Sequence, residues 1–322
     1  MAGVRGVQGI LNRRGFLTAT GVIGFAVGLT VGSAAAQTRQ QKRVQCKDSN
    51  PDLSIGACSV LIQSGKENKP WLVAAFSNRG VAYANKGDYD RAILDYDKAL
   101  QLKPDVAPVL NNRGNAYVRK GEIDRAILDY DQAIRLKPDY AAAYNNRGIA
   151  YANRGDYHRA IRDYEQVIRL NPDFAEAYNN LGIAHEDKGE FDHAIQDFDQ
   201  AIRLKLDYAE AFNNRGIAYT EKGDYDRAIQ DFDQAIQLRP NHPQAFNDRG
   251  TAYYDKRLYD RAIQDYDEAI RLKPDYAEAF KNRSNAYKQK GENDRAVLDM
   301  NRAIRLGPSR AVALQGASAP VR

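Results

Sequence analysis

Four histidines occur in this chain, and two of them, His185 and His193, bracket the acid-rich piece HEDKGEFDH with Glu186, Asp187, Glu190 and Asp192 between them. Imidazoles and carboxylates are the donors that a divalent transition metal takes, and a His–acid pair is also a common general acid–base set. The spacing argues against both. Two histidines eight residues apart across a helix turn converge only by chance, so no metal is assigned, and a bound ion would be the observation that reopens an enzyme reading here. The remaining two, His158 and His242, stand apart from this piece and from each other. DYDRAILDYD, residues 88–97, is equally acidic but lacks the glycine on which a calcium loop turns. No P-loop, dinucleotide-binding glycine motif or nucleophile elbow is present. The expectation is a chain that is not an enzyme and carries no cofactor.

The elements that would position a site begin after a leader. Residues 1–36 hold Arg5, Arg13 and Arg14 without an acid, then a moderately apolar stretch from Phe16 to Val31, then Ala34-Ala35-Ala36 before Gln37. That is the three-part plan of a bacterial export signal. Within it, NRRGFLT resembles the twin-arginine signal at Arg13, Arg14, Phe16 and Leu17, with Thr18 where that signal often has lysine. Cleavage near Ala36 and a periplasmic address are expected; an uncleaved signal would instead anchor the chain in the inner membrane. Without residues 1–36 the chain keeps 44 basic and 42 acidic residues, a net of +2, which is no footprint for nucleic acid. Residues 37–45, QTRQQKRVQ, read as a flexible leader. The two cysteines, Cys46 and Cys58, follow it. In an exported chain they are a disulfide candidate, worth about 3 kcal/mol in the chain-entropy account. With a helix expected near Asp52–Gln63, residues 46–72 read as an N-terminal cap stapled by that bridge.

Beyond the cap the sequence repeats. Gly80, Gly114, Gly148, Gly182, Gly216 and Gly250 lie 34 residues apart, with Ser284 in the seventh place. Ala92 to Ala296 keep the same step, as do the aromatics Tyr96, Tyr130, Tyr164, Phe198, Phe232 and Tyr266, ending in Met300. In the third unit Tyr144, Gly148 and Tyr151 share one helical face, and Ala160, Tyr164 and Val167 share another. Gly155 ends the first helix, Asp156 caps the second, and Pro172 stops it. One such helix pair cannot bury its apolar face alone, so the units must stack. The period and the order of aromatic, Gly, Tyr, Ala, aromatic, Ala and Pro resemble the tetratricopeptide repeat (TPR). Seven units are expected, over 73–106, 107–140, 141–174, 175–208, 209–242, 243–276 and 277–310. The resemblance implies an all-α, right-handed solenoid. Residues 311–322 read as a flexible tail, and the lack of a long polar helix over the seventh unit suggests self-association through that end.

One departure from the family pattern is physical. The family has leucine before the glycine; here six units have Arg79, Arg113, Arg147, Arg215, Arg249 and Arg283, and only the fourth has Leu181. An arginine on a packed face needs a partner. Sixteen residues on stand Asp95, Asp129, Asp163, Asp231, Asp265 and Asp299, so each pair is expected to bridge the two helices of its unit, leaving Asp197 without this partner. The alternative is an arginine reaching to solvent. The arginines four residues before these aspartates, such as Arg159 and Arg227, read as an outer-face ladder.

The resemblance also places a groove on the first helices. Its sixth position reads Asn78, Asn112, Asn146, Asn180, Asn214, Asp248 and Asn282; its fifth includes Asn111, Asn145, Asn179, Asn213 and Asn247. An asparagine amide can donate to a backbone carbonyl and accept from a backbone N–H at once, which suits an extended peptide of little sequence preference. The row looks like the asparagine ladder of O-linked N-acetylglucosamine transferases, although no transferase domain follows. The same residues would equally serve helix packing. A clamp for chaperone tails is unsupported, because its lysine and arginine sites hold Ser77, Asn111, Ala142 and Asn146. Glu186 and Glu221, with Glu176, Asp187, Glu210 and Asp255, make the middle of the groove acidic, which favours a protein partner with basic or amide-rich segments and a binding that weakens with salt. The expected function is a periplasmic, non-catalytic adaptor that grips an extended protein segment; a binding protein for a glycan or peptidoglycan fragment is the alternative.

Overall fold

The structure is a computed structural model that describes residues 38–307; the expected export signal and the tail lie outside them. Every described element is a helix. α1 spans 38–45 and α2 spans Pro51–Gln63. Seven helix pairs follow: α3 (Lys69–Asn85) with α4 (Tyr89–Leu102), α5 (Ala107–Arg119) with α6 (Ile123–Leu136), α7 (Ala141–Asn153) with α8 (Tyr157–Leu170), α9 (Ala175–Asp187) with α10 (Phe191–Leu204), α11 (Ala209–Glu221) with α12 (Tyr225–Leu238), α13 (Pro243–Asp255) with α14 (Tyr259–Leu272), and α15 (Ala277–Gln289) with α16 (Asn293–Leu306). No described helix is long and apolar enough to cross a membrane.

The repeated spacing of glycine and aromatic is a packing contact. Tyr164 is 2 % exposed and its ring lies so close to Gly148 that a Cβ there would fall 2.7 Å from Cε1. The same contact recurs from Gly80 and Tyr96 to Gly250 and Tyr266. The first helix ends where glycine enters the left-handed region, at φ 76° in Gly155, and Asp156 then accepts from the Arg159 amide to start the second. The sixth unit has no glycine at that turn: Arg257 takes φ 61° instead, the only non-glycine residue among those described to do so.

Consecutive first helices touch, α3 with α5, α5 with α7 and onward, whereas no comparable contact joins consecutive second helices. Closer spacing on one side curves a stack toward that side, so the first helices line the inner face. At the far end Val297 and Ile304 are 59 % and 69 % exposed, although their counterparts Ile263 and Ile270 are packed.

The N-terminal region departs from expectation. Residues 38–45 are helical rather than a flexible leader: Arg43 reaches the buried Glu67 at 2.6 Å and lies over the Trp71 ring at 4.2 Å. The Cys46–Cys58 disulfide is formed and buried beneath α2. α2 is capped by Asn50, which accepts from the Asp52 and Leu53 amides, and packs on α3. It stands where a preceding unit's second helix would, since Lys86 pairs with Asp52 as Lys120 pairs with Asp90 one unit later.

Candidate functional site

The arginines do bridge the helices. Arg147 donates from Nε and Nη2 to the two Asp163 oxygens at 2.8 and 2.7 Å, and the remaining five pairs repeat this geometry. A third arm was missed by the sequence reading: Arg147 Nη1 donates to Asp131 of the preceding unit at 2.6 Å. Arg113, Arg215, Arg249 and Arg283 reach back likewise to Asp97, Asp199, Asp233 and Asp267, and Arg79 reaches Ser59 on α2. Each fork therefore ties two second helices through one first helix. The signal was present as a second row of aspartates at the 34-residue step, broken by Glu165 just where the next unit carries Leu181. Burial pushes the Asp163 carboxyl up from its ordinary value, and the guanidinium holds it back. The outer arginines behave differently from the expected ladder: Arg159 and Arg227 turn to Asp156 and Asp224 at the helix start and lie over Tyr151 and Tyr219.

The asparagines lie on the inner face and bond to one another. Asn146 Nδ2 donates to Asn111 Oδ1 at 2.9 Å, Asn180 to Asn145 at 3.2 Å, Asn214 to Asn179 at 3.0 Å and Asn282 to Asn247 at 3.0 Å. Each bond links the sixth position of one first helix to the fifth position of the one before. Asp248 has no amide to donate, so its step reverses and Asn213 donates to it at 3.0 Å; the Asn213 carbonyl is left buried without a hydrogen-bond partner. Asn111, Asn112, Asn145, Asn146, Asn179 and Asn213 are buried, whereas Asn78, Asn180 and Asn214 are half-buried.

Glu186 is half-buried and Glu221 exposed on the same face. Burial, then the charges of Asp187, Glu221 and Asp248, push the Glu186 carboxyl up to about 8, and burial pushes Asp248 up to about 6. The acidic middle thus carries less charge at neutral pH than its residue count suggests.

At the N-terminal end, beside Asn78, opens a cavity of about 1000 Å³ that the sequence reading did not locate. Pro70, Val73, Val106, Pro108 and Val109 form its apolar wall, with Lys47, Lys69 and Lys103 among its lining residues. Val106, on its wall, stands where later units have the larger Tyr140, Phe174, Tyr208, His242 and Tyr276.

Around His185 the structure adds to the sequence expectation once and departs from it once. Asp197 lacks the arginine partner as expected, and His185 Nδ1 lies 2.7 Å from its Oδ2 instead. His185, Glu190 and His193 also come together, each offering a donor atom within 4.8 Å of the others. The turn between α9 and α10 folds the chain back on itself, which spacing along a single helix does not capture.

Comparison with known families bears on these same residues. Models described as TPR repeat and tetratricopeptide repeat match residues 114–155 and 146–205, and 73–106, 209–242, 243–276 and 277–310 as single units. Among solved structures, a tetratricopeptide repeat protein from Parabacteroides merdae is 22 % identical over 75 % of this chain and 96 % of its own, with a TM-score of 0.64. A chain of the APC/C hetero-tetramer Cut9-Hcn1 is 18 % identical over 81 % of this chain, TM-score 0.61, and this chain spans 51 % of its length. Pseudomonas aeruginosa pilF is 20 % identical over 63 % of this chain and 92 % of its own, TM-score 0.55. At these identities the likeness is one of fold. No curated protein matches the chain in sequence.

Proposed function

The chain belongs to the tetratricopeptide repeat family, and from that premise we propose that it is a non-catalytic adaptor of the bacterial periplasm that holds an extended protein segment along its inner face. TPR proteins act as protein-interaction scaffolds. The observation that carries the reading here is the junction of the N-terminal cavity with the asparagine row at Ser77 and Asn78. An apolar pocket with a few polar groups is where a bound segment anchors, and the half-buried amides of Asn78, Asn180 and Asn214 are the ones that reach the surface to meet an extended backbone.

The two ends of this surface differ in charge. Lysines border the cavity, while Glu186, Glu221 and Asp248 lie further along. A partner with an apolar anchor followed by basic residues would be held in one direction, with electrostatics setting the orientation. Both charged ends are solvent-accessible in part, so affinity falls as ionic strength rises. The exposed Val297 and Ile304 on α16 are where we place self-association.

The test is photo-crosslinking from single positions, at Ala74 and Ser77, which line the cavity, and at the exposed Leu128. Crosslinks to the same partner from Ala74 and Ser77, competed by a peptide from that partner and weakened by Ala74→Glu, support the reading. Equal yield from Leu128, or binding unchanged by Ala74→Glu, removes it.

A further inference from the structure

We propose that the fourth unit holds one divalent transition-metal ion of the zinc type between His185, Glu190 and His193, clasping α9 to α10. The argument stands apart from the inner-face reading. Its first observation is geometry. His185 Nε2 and His193 Nδ1 lie 3.8 and 3.9 Å from the same oxygen, Glu190 Oε2. A tetrahedral zinc ion with ligands at about 2.0–2.1 Å separates its donors by roughly 3.4 Å, so the cluster needs only a small closure. The two imidazole rings already lie 5.4 Å apart.

The second observation is orientation. His185 Nδ1 is engaged by Asp197 at 2.7 Å, which leaves Nε2 turned to Glu190. A carboxylate behind the far nitrogen is the arrangement that orients a metal-bound histidine and makes it a stronger donor. Access is graded too: the side chains of His185, Glu190 and His193 are 16 %, 37 % and 65 % exposed, so an ion can enter from solvent and the outer ligand can swing onto it. Lys188 holds the other Glu190 oxygen, Oε1, at 2.6 Å. Lys222 is occupied by Asp192.

The third observation is what the other units do with these positions. In five of them a tyrosine, an acid and an arginine occupy these places, the sixth unit having Leu258 instead of the acid; in the second unit Arg125 lies 4.1 Å over the Tyr117 ring and pairs with Glu122 at 2.5 Å. In the fourth unit the acid is kept as Glu190, and both the tyrosine and the arginine have become histidine. Leu181 has removed the arginine fork as well, which is what frees Asp197 to stand behind His185. Three changes confined to one unit thus produce two ligands and their supporting carboxylate. Two imidazoles and one carboxylate suit zinc and its neighbours rather than calcium or magnesium, which take oxygen donors. The ion would replace the missing fork as the tie between α9 and α10 and would keep an open coordination position toward solvent.

The experiment is calorimetric titration of Zn²⁺ into the purified full chain, made without a histidine tag, with Mg²⁺ and Ca²⁺ as comparisons. His193→Arg and His185→Tyr are the informative variants, because each installs the residue that other units carry at that place and so keeps the repeat pattern. One saturating equivalent of Zn²⁺ is expected, weakened at least 30-fold in either variant and about 10–100-fold in Asp197→Asn, and unchanged in His158→Ala. The midpoint of thermal unfolding should rise with Zn²⁺ in the natural chain but not in His193→Arg. Absence of a saturable equivalent, or affinity within threefold of the natural chain in His193→Arg, overturns the proposal.

Discussion

Replacing Arg147 with leucine reproduces in the third unit what Leu181 does in the fourth. The substitution removes three charge-assisted hydrogen bonds, two to Asp163 and one to Asp131. Asp131 is 30 % exposed at its side chain and returns to water; Asp163 is 7 % exposed and does not. Removing one partner of a buried pair leaves the other desolvated, at a cost of about 3–5 kcal/mol. No histidine stands in for the lost arginine, because the place held by His185 is Tyr151 in this unit. Stacked units open in part, so the measurement is native-state hydrogen exchange in α7 and α8, where a loss of about 3 kcal/mol speeds exchange by roughly 150-fold. Arg147→Leu with Asp163→Asn should recover most of that loss, since the cost is the stranded charge rather than the missing attraction. The pH dependence has a definite sign. Asp163 already titrates above its unfolded value of 3.8, and losing the guanidinium raises it further. Stability tied to such a group is complete below the unfolded pKa and is lost as pH rises through the folded one. The deficit therefore shrinks from pH 7 to pH 5. A loss under about 0.5 kcal/mol, the range of exposed pairs, or a double variant as damaged as the single one, would refute the reasoning.

Arg257→Gly should stabilise the sixth unit by about 1 kcal/mol, because φ 61° is a conformation that L side chains resist; a lower urea midpoint would contradict this. Gly148→Ala should destabilise by about 1–3 kcal/mol although alanine favours helices, since the new Cβ would fall 2.7 Å from a buried Tyr164 ring atom; equilibrium unfolding decides the sign. A lysine-rich peptide bound on the inner face near pH 7 should release a proton, because Glu186 titrates near 8 and an arriving cation favours its charged form. Calorimetry in buffers of different ionisation enthalpy reads this, and Glu186→Gln should abolish it. In the free chain the same carboxyl contributes stability that is complete below its ordinary 4.5 and lost as pH rises through about 8.

The fold was legible in the sequence because each unit states it again. Gly148 and Tyr164 need each other across two helices, and a step of 34 residues repeats that need along the chain. The Arg147–Asp163 pair was legible for a related reason: a buried guanidinium requires an anion, and one row of aspartates kept step with it. The third arm to Asp131 was written in a parallel row but was not read, because a pairing between units depends on how one unit sits on the next. The site was less accessible. The asparagine rows were found, yet their bonds to one another follow from the spacing of consecutive first helices, which residue identity does not specify. The N-terminal cavity is an empty volume, and an empty volume has no residue to announce it.

Sequence alone thus determined the repeat, the helix pairs, the cysteine pair and the arginine–aspartate bridges, because each follows from local periodicity or from the cost of burying one named group. Tertiary structure alone decided which carboxylates share the groove and lift the Glu186 titration, how the asparagine amides spend their hydrogen bonds, and that His185, Glu190 and His193 meet at one point. The physical reason is that these depend on distances of a few ångströms between helices. Such distances are set by stacking and by the path of a turn, and linear spacing along the chain carries neither.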